Sequence, residues 1–505
     1  MDAKTQFYRS QVGEAFVIDY SHTDFPWKLL AKDAYYFFVY IWALPWAIWP
    51  LYPFGPKEFN ELAPTRQNLL CVFIHFILAV LQLLFILALP FTILFPIWMV
   101  LTGIVTFMIV NWGLCQLLNG KHDTYRSDEG YAKPLPEHEH EQWVFLNGIC
   151  VGEHWMKKNL NRLALTFGRP FLGIHNRTSG FIFDIVECLI QRNFGYANSD
   201  IRICFKILKD ILHNPSKSKV IFILHSQGGI EGGLVLDWLL QELPQDLLGK
   251  LEVYTFGSAA NHFNNPHRHA VSQTLAQLNP WSAMGTIMTE TIYKSPVSSP
   301  RESKNRISVQ VPASSKKSPS ISSTRSVSAA KDRAIGHVEH YAHNTDFVAI
   351  WGILHFATNA MGSPQLPRFL GRLFSRSDRS GGHQLNQHYL DGMFPLRFDP
   401  KTGKYTGADE NNKFMEEAIK IGKEGDAMSN AREAFEISWA GTQGFGTGEI
   451  STPVEVYGSP VKGEFHGQFK VKDLSRLWSY RNGRRPVEVP PLLIPEEGIV
   501  RDADV

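Results

Sequence analysis

The chain has 505 residues, enough for one large or two ordinary domains with substantial cores. Its 50 Lys and Arg against 48 Asp and Glu leave a formal charge of +2, which removes the electrostatic basis for nucleic acid as a partner. Five cysteines, an odd number without paired spacing, speak against a disulfide framework or a zinc ribbon and for free thiols in a reducing compartment.

Residues 1–33 mix Lys4, Arg9, Lys28 and Lys32 with five acidic residues and lack the basic-then-apolar order of a cleaved signal peptide. From Ala34 to Phe54 no charge occurs, but Pro45, Pro50 and Pro53 interrupt the run and Trp and Tyr dominate it. Such rings favour the water–lipid boundary, so an interfacial or kinked element is expected over 34–54. Leu69 to Trp112 contains no Asp, Glu, Lys or Arg, and a helix of that length reaches roughly 66 Å, enough for two crossings. With Pro90 and Pro96 near its middle, 69–112 reads either as two tightly joined transmembrane helices or as a hairpin dipping into one leaflet. Soluble helices rarely lack charge on every face, and a membrane partner is therefore expected.

Beyond a polar stretch over 121–141, apolar runs alternate with segments of helical period, the pattern of a parallel sheet covered by helices. Trp143–Leu146, Arg169–Ile174, Val220–Leu224 and Leu251–Phe256 read as strands, and Val338–Ile350 contains another. Phe181–Arg192, Ile201–Leu212 and Glu231–Leu243 read as helices. Between Lys294 and Arg333 serine dominates, nine Lys or Arg face two acids, and large apolar residues almost vanish. That insertion is expected to be disordered, and its Ser-Pro pairs at Ser295, Ser299 and Ser318 make it a candidate kinase target. Asn411–Glu424 reads as a helix.

The chemistry concentrates in Leu224-His225-Ser226-Gln227-Gly228-Gly229, directly after one strand and directly before a helix. A serine on such a turn projects above the sheet at strained backbone angles, small neighbours let the turn close, and the helix start with the N–H of Gln227 faces any developing oxyanion. This hexapeptide resembles the nucleophile elbow of the serine lipases and esterases of the α/β-hydrolase superfamily, Gly-x-Ser-x-Gly, with Leu224 in place of the first glycine. Tyr254-Thr255-Phe256-Gly257-Ser258 and Asn344-Thr345-Asp346-Phe347-Val348 are similar to segments of the fungal-type lipases.

The resemblance implies an α/β-hydrolase fold, a mostly parallel sheet flanked by helices and here preceded by membrane helices. It also implies a triad in the chain order Ser, acid, His. Ser226 is then the nucleophile and Asp346 the acid, with Asp378 and Asp391 as alternatives. The base is His383, in a glycine loop, with His388 in reserve. Asn147-Gly148-Ile149-Cys150 resembles the oxyanion loop of the superfamily, so Ile149 or Cys150 is expected to donate beside Gln227.

The organisation expected is a polar segment 1–33, a membrane-associated region 34–120, a hydrolase domain 121–400 interrupted by 294–333, and an extension 401–505 without assigned role. No cofactor is needed, and neither Glu137–Glu141 nor His337, His340 and His343 has the spacing of a metal motif. The sequon at Asn176 is expected to be unused. The function expected is a membrane-anchored serine hydrolase acting on lipid or other acyl esters at the cytosolic face of the endoplasmic reticulum or a lipid droplet. The alternative is a catalytically silent scaffold of the same fold.

Overall fold

The structure is a computed structural model that describes residues 5–8, 25–51, 58–269, 290–293, 322–325, 332–358, 370–378, 381–421, 470–486 and 493–495. Nine strands form one mixed sheet: β1 (Thr5–Tyr8), β2 (Thr124–Arg126), β3 (Glu141–Leu146), β4 (Phe171–Ile174), β5 (Lys219–His225), β6 (Leu251–Phe256), β7 (His337–His343), β8 (Arg372–Arg376) and β9 (Ile419–Ile421). Their order is β9-β1-β8-β7-β6-β5-β3-β4-β2. From β4 to β8 every neighbouring pair is parallel, whereas β2 runs antiparallel to β4 and β1 antiparallel to β8.

The parallel strands are apolar on both faces because both are covered. Along β5, Ile221 and Ile223 join one core cluster while Val220, Phe222 and Leu224 join the other. The first cluster is completed by Met156, Leu160 and Leu163 of helix α4 (Glu153–Phe167), the second by Ile201, Cys204 and Leu208 of α6 (Ser199–His213) and by α7 (Gln227–Glu242).

Ahead of β2 come α1 (Pro26–Val39), a 3-10 turn Ile41–Ala47 containing Pro45, and two long helices, α2 (Arg66–Ala88) and α3 (Ile97–Asn119). Between the last two, Leu89–Leu94 forms the turn in which Pro90 falls, and Pro96 caps α3. Both helices are long and apolar enough to cross a membrane and are mostly exposed.

Several boundaries differ from the sequence reading. The segment 1–33 is not separate: β1 pairs with β8 and β9, and Asp33 of α1 is buried in a hydrogen-bonded ion pair with Arg192 of α5 (Phe181–Phe194). Asn411–Glu424 is not a helix over its described part. The Asn412 side chain takes up the N–H groups of Phe414 and Met415 in a turn, and the chain then runs out as β9. Leu474, Leu477, Trp478 and Tyr480 belong to the first core cluster, so the described parts of 401–505 complete the same domain. Most of 294–333 lies outside the described residues. Ser322–Arg325, within it, is a strand paired with Glu290–Tyr293 and Leu493–Pro495.

The returning C-terminal segment closes a polar cluster on β6. Glu252, 2% exposed, accepts from Lys219, Arg476, Tyr254 and Tyr480. Burial alone pushes its carboxyl up, but Arg476 and Lys219 outweigh burial and hold it well below the usual carboxylate range. A depressed carboxylate contributes stability above its unfolded value of about 4.3, and that contribution is lost as pH falls through the folded value. Arg476→Met should therefore cost about 3 kcal/mol at neutral pH, the range for leaving a buried charge without its main partner. The deficit relative to wild type should shrink on acidification, and thermal unfolding of the detergent-solubilised chain at pH 7 and pH 3 measures both.

Candidate active site

The connection from β3 to β4 leaves to one side of β3, and the chain then crosses to β5 on the other side. In open α/β sheets the crevice at the carboxyl ends of strands around such a reversal is where ligands are held. Ser226 follows β5 at that edge, Asn147–Cys150 follows β3, Asp346 follows β7, and His383 follows β8.

Ser226 adopts φ 59° and ψ −122°, a strained left-handed conformation for a residue with a side chain. Its N–H donates to Phe256 O, and its carbonyl accepts from Gly229 and Ala259. The turn closes because glycines line it. A Cβ on Gly228 would lie 2.6 Å from the Leu146 carbonyl oxygen, and one on Gly148 would lie 2.4 Å from Ser226 Cβ. Leu224, where the resembled motif has glycine, is accommodated by a second small residue: a Cβ on Gly232 would meet Leu224 Cδ1 at 2.4 Å.

Ser226 Oγ lies 2.8 Å from His383 Nε2, and His383 Nδ1 lies 2.9 Å from Asp346 Oδ2. Burial pushes the Asp346 carboxyl up, yet His383, the Tyr389 hydroxyl and the Val348 N–H outweigh it, leaving it below the usual range and ionised at neutral pH. An ionised carboxylate only accepts, so His383 Nδ1 carries the proton and Nε2 is free to accept from Ser226. Asp346 also caps a short helix, Phe347–Trp351, with Oδ1 accepting from Val348. Capping and orientation of the imidazole thus use different oxygens of one carboxylate.

The structure brings Ser226, His383 and Asp346 into one line and places the alternatives elsewhere. His388 Nδ1 accepts from the Gln384 N–H and its Nε2 donates to Pro50 O, so that ring is held by backbone. Asp378 pairs with Arg376 and Asp391 with Arg162. Of the oxyanion candidates, Cys150 is corrected: its N–H donates to Asp184 Oδ2 at 3.0 Å. Ile149 follows Gly148, which touches Ser226, and Gln227 opens α7, where a first-turn N–H has no carbonyl one turn back. The Gln227 side chain is clamped between Asn176 Nδ2 and Gln191 Oε1, which fixes the start of the helix. Asn176 is 3% exposed and committed to Gln227, so its sequon is inaccessible as folded.

Further residues at the site receive no role from the sequence, His225 among them although it lies within the elbow hexapeptide. Tyr389 donates to Asp346 Oδ2 at 2.6 Å, and His225 donates from Nε2 to the His383 carbonyl at 2.8 Å while its ring stacks on the His383 ring. Burial, then the neighbouring His383, push the His225 imidazole down to about 3, so it stays neutral beside the His383 ring. Asp184 accepts from Thr178, Ser179 and Cys150 and holds the Asn147–Cys150 loop. Their shared signal, a polar residue on an apolar segment, becomes informative only once the partners are known.

Ser226 is 3% and His383 6% exposed. The carbonyls of Ala47 and Pro50 are bonded by Gln384 and His388, so the aromatic segment after α1 lies against the His383 loop. Among the described residues no group of three or more His, Cys, Asp or Glu side chains is placed to hold a metal ion. His337 bonds Glu339, and His340 bonds Thr255 and the Leu370 carbonyl.

No family model, no curated protein and no solved structure matches this chain.

The Leu224–Gly232 contact makes a testable pair. Gly232→Ala should destabilise by about 1–3 kcal/mol through overpacking against a Leu224 that is fully buried. In the double variant with Leu224→Ala the two costs should fall short of additivity by about 1 kcal/mol, read from a double-mutant cycle of unfolding free energies.

Proposed function

We propose that the chain is a membrane-attached serine hydrolase of the α/β-hydrolase kind that cleaves carboxylic esters, those of lipids foremost. The observation that carries this reading is the hydrogen-bonded line from the strained Ser226 through His383 to the buried Asp346. In the reaction, Ser226 Oγ attacks the acyl carbonyl carbon while its proton passes to His383 Nε2, and Asp346 stabilises the resulting imidazolium. The N–H groups of Gln227 and Ile149 receive the charge that develops on the carbonyl oxygen. Collapse expels the alcohol, which takes the proton back from His383, and water repeats the sequence to release the acid.

A lipid ester fits because two exposed helices, long and apolar enough to cross a membrane, would hold the domain where such substrates are. For location we assign the endoplasmic reticulum or a lipid droplet, with the domain facing the cytosol. All five cysteines are free, which suits a reducing side.

A fluorophosphonate probe should label the wild-type chain in membranes. Ser226→Ala should abolish labelling, His383→Ala should reduce it at least about a thousandfold in rate, and His388→Ala should leave it within about tenfold. Absence of labelling in folded wild type would replace the enzyme with a membrane-held scaffold. Labelling without hydrolysis of any lipid ester, but with turnover of a soluble ester, would remove the lipid part alone.

A further inference from the structure

The sequence leaves α2 and α3 open as a membrane-crossing pair or a hairpin within one leaflet. Their polar residues and the turn between them decide the matter. Gln82 Nε2 donates to Asn111 Oδ1 and to Ser179 O, while Gln82 Oε1 accepts from Ile182 and Phe183 at the start of α5. Asn111 Nδ2 donates to Ser179 O, and Asn119 exchanges bonds with Thr178 in both directions. The lower part of each helix is therefore bolted to the loop that carries Thr178 and leads to Asp184. That loop cannot enter hydrocarbon with its polar groups. The part beyond the hydrogen bonds of Gln82 and Asn111 to the domain is about 14 residues of α3 or roughly 21 Å, short of the ~30 Å hydrocarbon core of a bilayer.

The turn is built for the apolar interior rather than for a far surface. Leu89–Trp98 has no charged residue, and Ile93 and Ile97 are 87% and 73% exposed. Its single hydroxyl, Thr92 Oγ1, donates to the Leu89 carbonyl. Pro90 and Pro96 bring no N–H, and the Phe95 N–H is taken by Thr92 O. A turn emerging on the opposite face would carry charge for water to solvate; this one carries none and its one hydroxyl is bonded within it, which favours lipid. At the level of Gln82 the apolar outer surface widens through Phe181, Val186, Ile190 and Phe194 of α5, all exposed.

We infer that the α2–α3 hairpin is monotopic: its tip ends inside the membrane, and the protein docks on a single phospholipid leaflet with α5 at the lipid boundary. The inference uses the membrane attachment of the proposed function and none of its catalysis. A surface that needs one leaflet fits a phospholipid monolayer over neutral lipid as well as a bilayer.

The test uses the full chain reconstituted in phosphatidylcholine vesicles, with Thr92→Cys compared to Ser216→Cys on an exposed loop of the domain, wild type serving to subtract the native cysteines. An impermeant maleimide added outside should label Ser216→Cys and leave Thr92→Cys unlabelled, whether it is added outside or loaded inside, until detergent is present. Labelling of Thr92→Cys from inside would show a crossing pair, and labelling from outside would show a hairpin that never enters lipid; either overturns the inference. Independently of any variant, wild type should shift to the floating fraction with triolein droplets coated by a phosphatidylcholine monolayer, and failure to float there while floating with bilayer vesicles would also overturn it. Neither readout involves Ser226, so a dead enzyme with a protected tip separates this inference from the catalytic reading.

Discussion

Everything at the site depends on one backbone constraint, the left-handed conformation of Ser226 between β5 and α7. Such a conformation costs on the order of 1–3 kcal/mol and persists only where the surroundings leave no alternative. Here the Phe256 carbonyl holds the N–H of Ser226, two N–H groups hold its carbonyl, and Gly148, Gly228 and Gly229 let neighbouring backbone and side chains approach closer than any Cβ allows. The strain aims the hydroxyl at His383, whose Nε2 lies 2.8 Å from it. Leu224 shows that the close packing need not come from the resembled motif's own glycine, because Gly232 one turn into the helix vacates the volume instead.

Around that constraint the polar groups form layers. Asp346 orients His383 and is itself held by Tyr389, while the neutral His225 supports the loop from beneath. On the other side, Asp184 ties the Asn147–Cys150 loop to Thr178 and Ser179, and those residues are tied to Gln82, Asn111 and Asn119 of the apolar helices. The two long helices are therefore integral to the domain. A continuous chain of hydrogen bonds joins them to the loop beside Ser226, so the position of these helices and the shape of the site are parts of one structure.

At the opposite end of the sheet, buried charge does the joining. Glu252 binds Arg476 and Lys219, and Glu141 binds Arg169, which also donates to the carbonyls of Tyr480 and Arg484. These contacts bring residues near the end of the chain back under β3 and β6. The amino-terminal β1 is drawn in by pairing with β8 and β9. An early segment thus adds a strand to the sheet, while residues 474–480 complete the core beneath it.

The sequence by itself determined the local elements whose signal is local. Val220–Leu224 is apolar on every residue because both faces of the sheet are covered, the Ser226 turn carries its glycines within three residues, and the apolar helices with their intervening prolines declare themselves by composition. That Ser226, Asp346 and His383 meet was legible because residue type, order along the chain and a flanking strand or glycine loop coincide. Tertiary structure decided what depends on partners distant in sequence. Cys150 lost its expected role to Asp184, 34 residues away, and His388 was taken up by Pro50, 338 residues away. The helix read over Asn411–Glu424 became a turn and an edge strand because β1, more than 400 residues earlier, offered it a backbone to pair with. Periodicity reports which face of a segment is apolar; which donor meets which acceptor is settled only when the chain has closed on itself.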